Sequence, residues 1–452
     1  MYLRKCIIFL AGVDCLIIGM LGIGIIINNM TGDIAYYKDE VVCQNQIYIA
    51  SSQENTVNSI QNNSEDNEVQ ICNVNLESSN VKVALTTANN LYLHTNAIIS
   101  GVEQIIVDNK KIINENIQIN NLSDGVHTIE SNGGLMVSDT NNPQYIYKGN
   151  LIIYKKAEGA IIVNETNLDN YIEGVVASEM PDSFSLEAKK AQAICSRSYY
   201  LCNKSKLNVD GIETDLDDTT RYQVFGRENP SKDTVKAVEE TKGMVIKKGG
   251  ETINATFFST SCGYTADSTV WGDDKKIIKS NYIGPQNDNV IDVSTGDYFN
   301  KYINSQSDAY EKDCSFFRWK TYISMNQIKE SLQKRGIDIG AIINVSIIDR
   351  GAGGIVSCIR FTGDNGVYEN SNQYEIRQIL APNDNVVNMN DGEERTGMAL
   401  LPSAFISVKK KKDKLEIIGG GYGHGVGMSQ YGAQKMAEQG NTYKDILFLF
   451  YR

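Results

Sequence analysis

Proline, histidine and tryptophan are scarce in this chain, and each scarcity removes a class of reading. Six prolines in 452 residues exclude a proline-rich stalk, and 38 glycines without a triplet repeat exclude a collagen-like rod. Three histidines (His94, His127 and His424) leave little room for histidine-rich metal centres or histidine-based triads. Nine cysteines are too few for a disulfide scaffold, and an odd number cannot all pair internally. Positive charge is also in deficit. Forty-three Lys and Arg against 55 Asp and Glu leave a net charge of −12, which repels phosphate and disfavours nucleic acid as a partner. What remains is globular: 41% apolar and 22% charged residues can bury a sizeable core.

Residues 6–28, CIIFLAGVDCLIIGMLGIGIIIN, form a nearly unbroken apolar run behind Arg4 and Lys5. As a helix rising ~1.5 Å per residue, it would cover the roughly 30 Å hydrocarbon core of a bilayer. The leading basic residues orient the remainder of the chain outside the cytoplasm. Asp14 costs about 2.5–3.5 kcal/mol if it sits at the bilayer centre, and the surrounding Ile, Leu and Met outweigh it. A cleaved signal peptide would call for a shorter core and a small-residue cleavage site, and neither is visible. The expectation is a single-pass membrane anchor over residues 1–30 with an extracytoplasmic C-terminal region. Residues 31–80 are rich in Asn, Gln, Ser and Glu and read as a disordered tether carrying Cys43 and Cys72, with ordered structure starting near Val81.

From 81 to 164, short apolar runs (VKVAL, EQIIV, HTIES, QYIYKG, NLIIYKK, AIIVN) separated by turn residues predict a β-rich support. Hairpin turns are expected at Asn132-Gly133-Gly134 and Glu158-Gly159. Helical spacing then begins at Leu168, Tyr171, Ile172, Val175 and Val176, with Asn167 as N-cap and Pro181 as the stop just after Glu179. Ser185 is placed to cap a second helix with an Ala-rich body. Glu179 therefore falls at a helix-to-helix corner among Val175, Val176, Met180 and Phe184. Apolar surroundings disfavour a charged carboxylate and raise its pKa, as a general acid requires. A solvated acid at a helix end is the competing reading of the same pattern. Asp182 and Glu187 read equally well as helix N-terminal charge.

The block GGGYGHGVGMSQYGAQKMAEQG lacks the GxGxxG spacing of a dinucleotide fold and a phosphate-loop lysine. Its closely spaced glycines predict a backbone that another segment or a ligand approaches closely, with His424, Ser429, Gln430 and Tyr431 supplying hydrogen-bonding groups. A tight turn around a buried histidine fits the pattern as well. An amphipathic helix is expected from Gln430. Cys195 and Cys202, two helical turns apart, lie beyond disulfide reach and read as buried small apolar residues. Between 275 and 400 the chain shows a strand and helix in FRWKTYISMNQIKESLQKRG and a hairpin in NVSIIDRGAGGIVSCIRFTG, with no legible chemistry. Lys409–Lys412 read as a solvated turn, with contact to an anionic wall polymer as the functional alternative.

GVVASEMPDSFSLEAKKAQAICSRSYYL resembles the signature segment of the stage II sporulation protein D and amidase-enhancer family. TTRYQVFG, VEETKGMVIKKGGETINATFFSTSCGYTADSTVWG and the glycine-rich block follow in the family's order, so the likeness covers most of residues 81–452. The resemblance implies an α+β fold in which β-rich mixed sheets and a few helices form a glycan-binding groove. It divides the chain into a support (81–164), a catalytic core (165–272), an accessory region (273–400), and a groove wall with a C-terminal helix (401–452). It also implies a peptidoglycan lytic transglycosylase with Glu179 as catalyst, working with a cell-wall amidase in sporulation. The same groove could instead serve a non-catalytic amidase enhancer. Glycan contacts are expected from Gln192, Arg197, Tyr199, Tyr222, Gln223, Ser259, Thr260, His424, Ser429 and Gln430. The family commonly has His where this chain has Phe258. Some relatives bind zinc around the segment matching DLDDTTRYQ, but here Leu216 or Asp217, Arg221 and Tyr222 stand in those places. Zinc prefers thiolate and imidazole, so neither a metal nor another cofactor is expected.

Overall fold

The computed structural model describes residues 68–452, apart from 77–78, 113–115, 205–206, 273–276 and 286–290. The apolar run at 6–28, Cys43 and most of the tether lie outside the described residues. Among those described, no helix is long and apolar enough to cross a membrane.

The fold is α+β. One sheet of eight strands runs in the order 216–217, 80–84, 159–167, 150–156, 125–131, 105–107 and 110–112, with 93–94 also paired to 159–167. Its centre is the hairpin of Asn150–Lys156 and Gly159–Asn167, turning at Ala157-Glu158, one residue before the expected Glu158-Gly159. Leu151 and Ile153 point into one core and alternate with half-buried Ile152 and Tyr154, which pack on a smaller cluster across the sheet. The turn at 132–134 is not a hairpin, because Gly125–Ser131 and Leu135–Val137 pair into different sheets. QYIYKG forms no strand beyond a single bridge from Tyr147 to Leu135.

Among the described residues, eight α-helices follow: α1 (Leu168–Glu179), α2 (Leu186–Asn203), α3 (Lys232–Glu240), α4 (Gly296–Ile303), α5 (Met325–Gln333), α6 (Gln373–Ile379), α7 (Gln430–Glu438) and α8 (Tyr443–Tyr451). A second sheet orders 394–395, 387–389, 319–324, 414–419 and 406–411. Lys409 to Lys411 are the exposed end of its edge strand, and only Lys412 sits in the turn, with φ of 53°. The expected hairpin is present as Ile342–Arg350 against Val356–Gly363.

Ordered structure starts before Val81. Val69–Asn73 pairs antiparallel with Met244–Lys248, placing Cys72 opposite Val245. Val69 is buried and Ile71 packs on the same core, an alternation that the polar composition around it hides. Core packing also crosses the expected region boundaries. Helix α1 packs with the support sheet in one core with Val81, Ile162 and Phe225. Residues 406–417 pack with 319–361 in another. A third core joins Met180, Ala188 and Cys195 to the glycine-rich block and α8. Cys202, in contrast to Cys195, is exposed, because the helix face it occupies runs out to the surface at the end of α2.

Candidate active site

Helix α1 starts where Asn167 accepts the Asn170 N–H and ends at Glu179, and residues 180–185 connect it to α2. Ser185 stands at the start of α2 without a capping bond from its side chain. Within α1, Gly174 is required. A Cβ there would collide with the Tyr145 hydroxyl and the Phe225 ring, so the 223–227 segment could not lie against the helix. Ser178 completes the attachment: its Oγ donates to Gly174 O and accepts the Arg227 N–H at 3.0 Å.

That attachment brings backbone to the carboxyl. The Val224 N–H donates to Glu179 Oε1 at 2.7 Å, and Gln430 Nε2 donates to the Glu179 carbonyl at 3.1 Å and to Oε2 at 3.4 Å. Glu179 is half-buried, beside buried Met180 and Phe184. Burial pushes its pKa up from 4.5 to about 6, while the bonds from Val224 and Gln430 hold it from going further. A wall of the corner is aromatic: Phe184 meets exposed Tyr431 edge to face at 5.1 Å. Asp182 and Glu187 have structural partners. Asp182 pairs with buried Lys189 at 2.9 Å, and Glu187 binds Lys190 at 2.7 Å and the Tyr443 N–H at 2.8 Å.

The expected glycan contacts separate into groups. Gln192, Arg197 and Gln223 are inside the protein, out of reach of a bound strand. Gln192 donates to Ser196, and Arg197 donates to the carbonyls of Thr241 and Met244. Gln223 donates to Tyr171 and to the Ser196 carbonyl. These three hold elements together and are corrected from contact to scaffold. Tyr199 is also buried, its ring 6.4 Å from Phe257. Tyr222 and Ser259 are half-buried and Thr260 buried, with the Ser259 and Thr260 hydroxyls 3.1 Å apart. His424 has both ring nitrogens engaged: Nε2–H donates to Phe257 O at 2.9 Å and Nδ1 accepts the Val426 N–H. Its ring packs 5.0 Å from Trp271, and burial pulls its pKa down to about 4. His424 is half-buried and braces the glycine loop through both ring nitrogens. Of the ten, Gln430 is the residue whose side chain meets the Glu179 carboxyl.

One buried acid has no sequence signature. Glu311, in the polar stretch DAYEKDC, is sealed from solvent and accepts from the Ser261 N–H, the Ser261 hydroxyl and the Ser429 hydroxyl. Burial lifts it to about 7. Ser429 in turn caps α7 by accepting the Gly432 N–H, so Glu311 fixes the residue preceding Gln430. At the segment matching the zinc-binding region of some relatives, Asp217 accepts from the Tyr92 hydroxyl and from the Thr219 N–H and hydroxyl, and pairs with Arg221 at 3.5 Å. No metal-suited group of three or more His, Cys, Asp or Glu occurs among the described residues.

A support sheet, a carboxyl held at a helix corner and a glycine-rich wall define the class, and comparison with known proteins gives the family. Residues 156–247 match the family model described as "Stage II sporulation protein", and 268–427 match one described only as a domain of unknown function. The chain is 33% identical over 293 residues to the amidase enhancer of Bacillus subtilis (strain 168), covering 62% of this chain and 39% of that protein. It is 27% identical over 317 residues to the stage II sporulation protein D of the same organism, covering 66% and 76%. An uncharacterized protein of Brachyspira hyodysenteriae is 28% identical over 306 residues, covering 68% and 70%. Residues 156–247 thus carry the stage II sporulation protein domain, and the chain is similar to both the stage II sporulation protein D and the amidase-enhancer relatives.

Proposed function

We propose that the protein is a peptidoglycan lytic transglycosylase that cuts the bond between N-acetylmuramic acid and N-acetylglucosamine during sporulation. The observation that carries this is one half-buried carboxyl, raised to about 6, held by a backbone N–H and an amide at a helix-to-helix corner. Hydrolytic glycosidases generally need a second carboxylate to activate water or attack the sugar. A transglycosylase needs one group that serves twice. Protonated Glu179 gives its proton to the bridging oxygen as the glycosidic bond breaks. The resulting carboxylate then takes the proton from the muramoyl 6-hydroxyl as its oxygen closes on C1. The products are a 1,6-anhydro end and a free N-acetylglucosamine hydroxyl, and Glu179 is returned protonated. The engagement of Asp182 and Glu187 by lysines supports this single-carboxyl scheme.

The apolar run at 6–28 would hold the protein at the membrane with its catalytic part outside, and a cell-wall amidase would supply strands stripped of peptide. The likeness to an amidase enhancer favours a second reading, in which the groove binds glycan and stimulates the amidase without cutting. Mass spectrometry of peptide-free glycan incubated with residues 68–452 separates the two. Anhydromuramoyl ends that vanish in Glu179→Gln support the enzyme. Uncut strands with faster amidase turnover support the enhancer and sink the lytic scheme.

A further inference from the structure

Away from Glu179, the 268–427 region closes an open cavity of about 540 Å³ against the glycine-rich loop. That volume lies in the range of small-molecule sites, roughly 300–1,000 Å³. Its wall holds Phe316, Arg377, Arg395 and Tyr422 and no carboxylate, in a chain where acids outnumber bases 55 to 43. Tyr422 stacks on Phe316 with centroids 4.3 Å apart and planes at 18°, and remains 39% exposed. The Arg395 guanidinium lies 4.8 Å from the Phe316 ring centre on an exposed two-residue strand. Glu393 is a loose neighbour at 3.8 Å. Arg377 is buried behind them, donating to the carbonyls of Leu401 and Pro402.

The platform is fixed in place. Tyr422 exchanges two backbone bonds with Thr260, and Gly421 bonds Phe316 O and the Trp319 indole. Thr260 adjoins Ser259, whose carbonyl accepts from Tyr431 and Ser429, the residues on either side of Gln430. The cavity and the Glu179 corner thus share one braced backbone.

A flat aromatic face accepts the apolar face of a pyranose ring, and a guanidinium at its edge accepts a carboxylate with paired hydrogen bonds. We propose that this cavity binds a pyranose bearing a carboxylate, with Tyr422 as the platform and Arg395 as the partner of the acid. Resting on the peptidoglycan reading, the ligand is a muramoyl residue whose lactyl carboxylate has been freed of its peptide. The 268–427 region then reads the state of the strand that the Glu179 corner cuts.

The test is titration of residues 68–452 carrying Glu179→Gln, so that binding is measured without cleavage. Peptide-free glycan should bind more tightly than N-acetylglucosamine oligomers of equal length. Arg395→Gln should weaken the glycan roughly tenfold and leave the neutral oligomers within about twofold. Tyr422→Ala should weaken both. Oligoglucuronate, which carries the acid on the ring, separates the two sources of carboxylate: weaker binding than the glycan supports the lactyl assignment, and equal or tighter binding overturns it. Unchanged glycan affinity in Arg395→Gln, with unchanged thermal unfolding, overturns the site. Arginine-dependent binding by a parent protein that makes no anhydro ends leaves the site standing and removes only the lytic reading.

Discussion

Glu179 and Glu311 hold consecutive residues at the start of α7: Glu179 meets Gln430, and Glu311 meets Ser429. Both are lifted by burial, to about 6 and about 7. They differ in access. Glu311 has no exposed surface and its oxygens take three donors, whereas Glu179 is half-buried with two donors. A raised carboxyl pKa is therefore not in itself a sign of chemistry. Glu311 is closed off behind its donors, and in the proposed function Glu179 is the acid that meets a ligand.

The largest effect should fall on that asymmetry. Glu179→Gln should cut the rate of anhydro-end formation by about 10²–10⁴, the usual contribution of a general acid and base, while glycan binding persists. Glu311→Gln should retain turnover at any site still folded. Initial rates on peptide-free glycan decide, and the comparison breaks if the two variants exchange roles.

Stability should show the reverse order. Glu311→Ala leaves the Ser261 N–H and hydroxyl buried without an acceptor, at a cost of about 3 kcal/mol, while the Ser429 hydroxyl keeps the Ser259 carbonyl. Glu179→Ala frees an N–H at an accessible corner and should cost less. Chemical denaturation of both variants measures the difference, and equal losses would refute it.

How far each acid could be read in advance follows from the same contrast. Glu179 sits in a segment where local rules agree: an N-cap at Asn167, apolar residues at helical spacing, and Pro181 as the stop. Glu311 depends on contacts with Ser261 and Ser429, 50 and 118 residues away, which no periodicity encodes. The glycine-rich block was legible as a close approach, since a Cβ at Gly427 would strike Thr256 and one at Gly425 would strike Phe405. What could not be read was the use of its polar groups. His424 carries the right chemistry for a ligand, but its two nitrogens close on Phe257 and Val426, which are distant or adjacent only by the path of the chain. Gln192, Arg197 and Gln223 were misread for a similar reason. A polar residue looks like surface until the segments that cover it are in place, here 241–244 over Arg197 and α1 and α2 around Gln223.

A smaller effect concerns pH. A carboxyl with a folded pKa above its unfolded value binds more protons in the native state, so stability is fully present below the unfolded value and is lost as pH rises through the folded one. For Glu179 that window runs from 4.5 to about 6, and for Glu311 from 4.5 to about 7. Thermal unfolding should therefore weaken across both windows, and Glu311→Ala should lose the upper part of the slope. In kcat/KM, loss of the Glu179 proton should give an alkaline limb with a midpoint near 6. Gln430→Leu removes a donor to the charged form and should move the limb to higher pH. A limb that stays put or moves down would show that Gln430 does not touch the reacting carboxyl.

The smallest effect compares the two helices that make the corner. Asn167 accepts the Asn170 N–H at 2.8 Å, whereas Ser185 makes no such bond, although the sequence marks both as caps. The Ser185 backbone N–H is instead held by Gln434 of α7 at 2.7 Å, so its position is fixed by tertiary contact rather than by its own hydroxyl. Asn167→Ala should cost about 1 kcal/mol, the usual value of a lost N-cap, and Ser185→Ala close to nothing. Gln434→Ala should cost more than Ser185→Ala, because it releases the α2 start from the helix that carries Gln430. Denaturation midpoints of the three variants test this, and a Ser185→Ala loss equal to that of Asn167→Ala would mean that the corner is held by two independent caps instead of one cap and the α7 clasp.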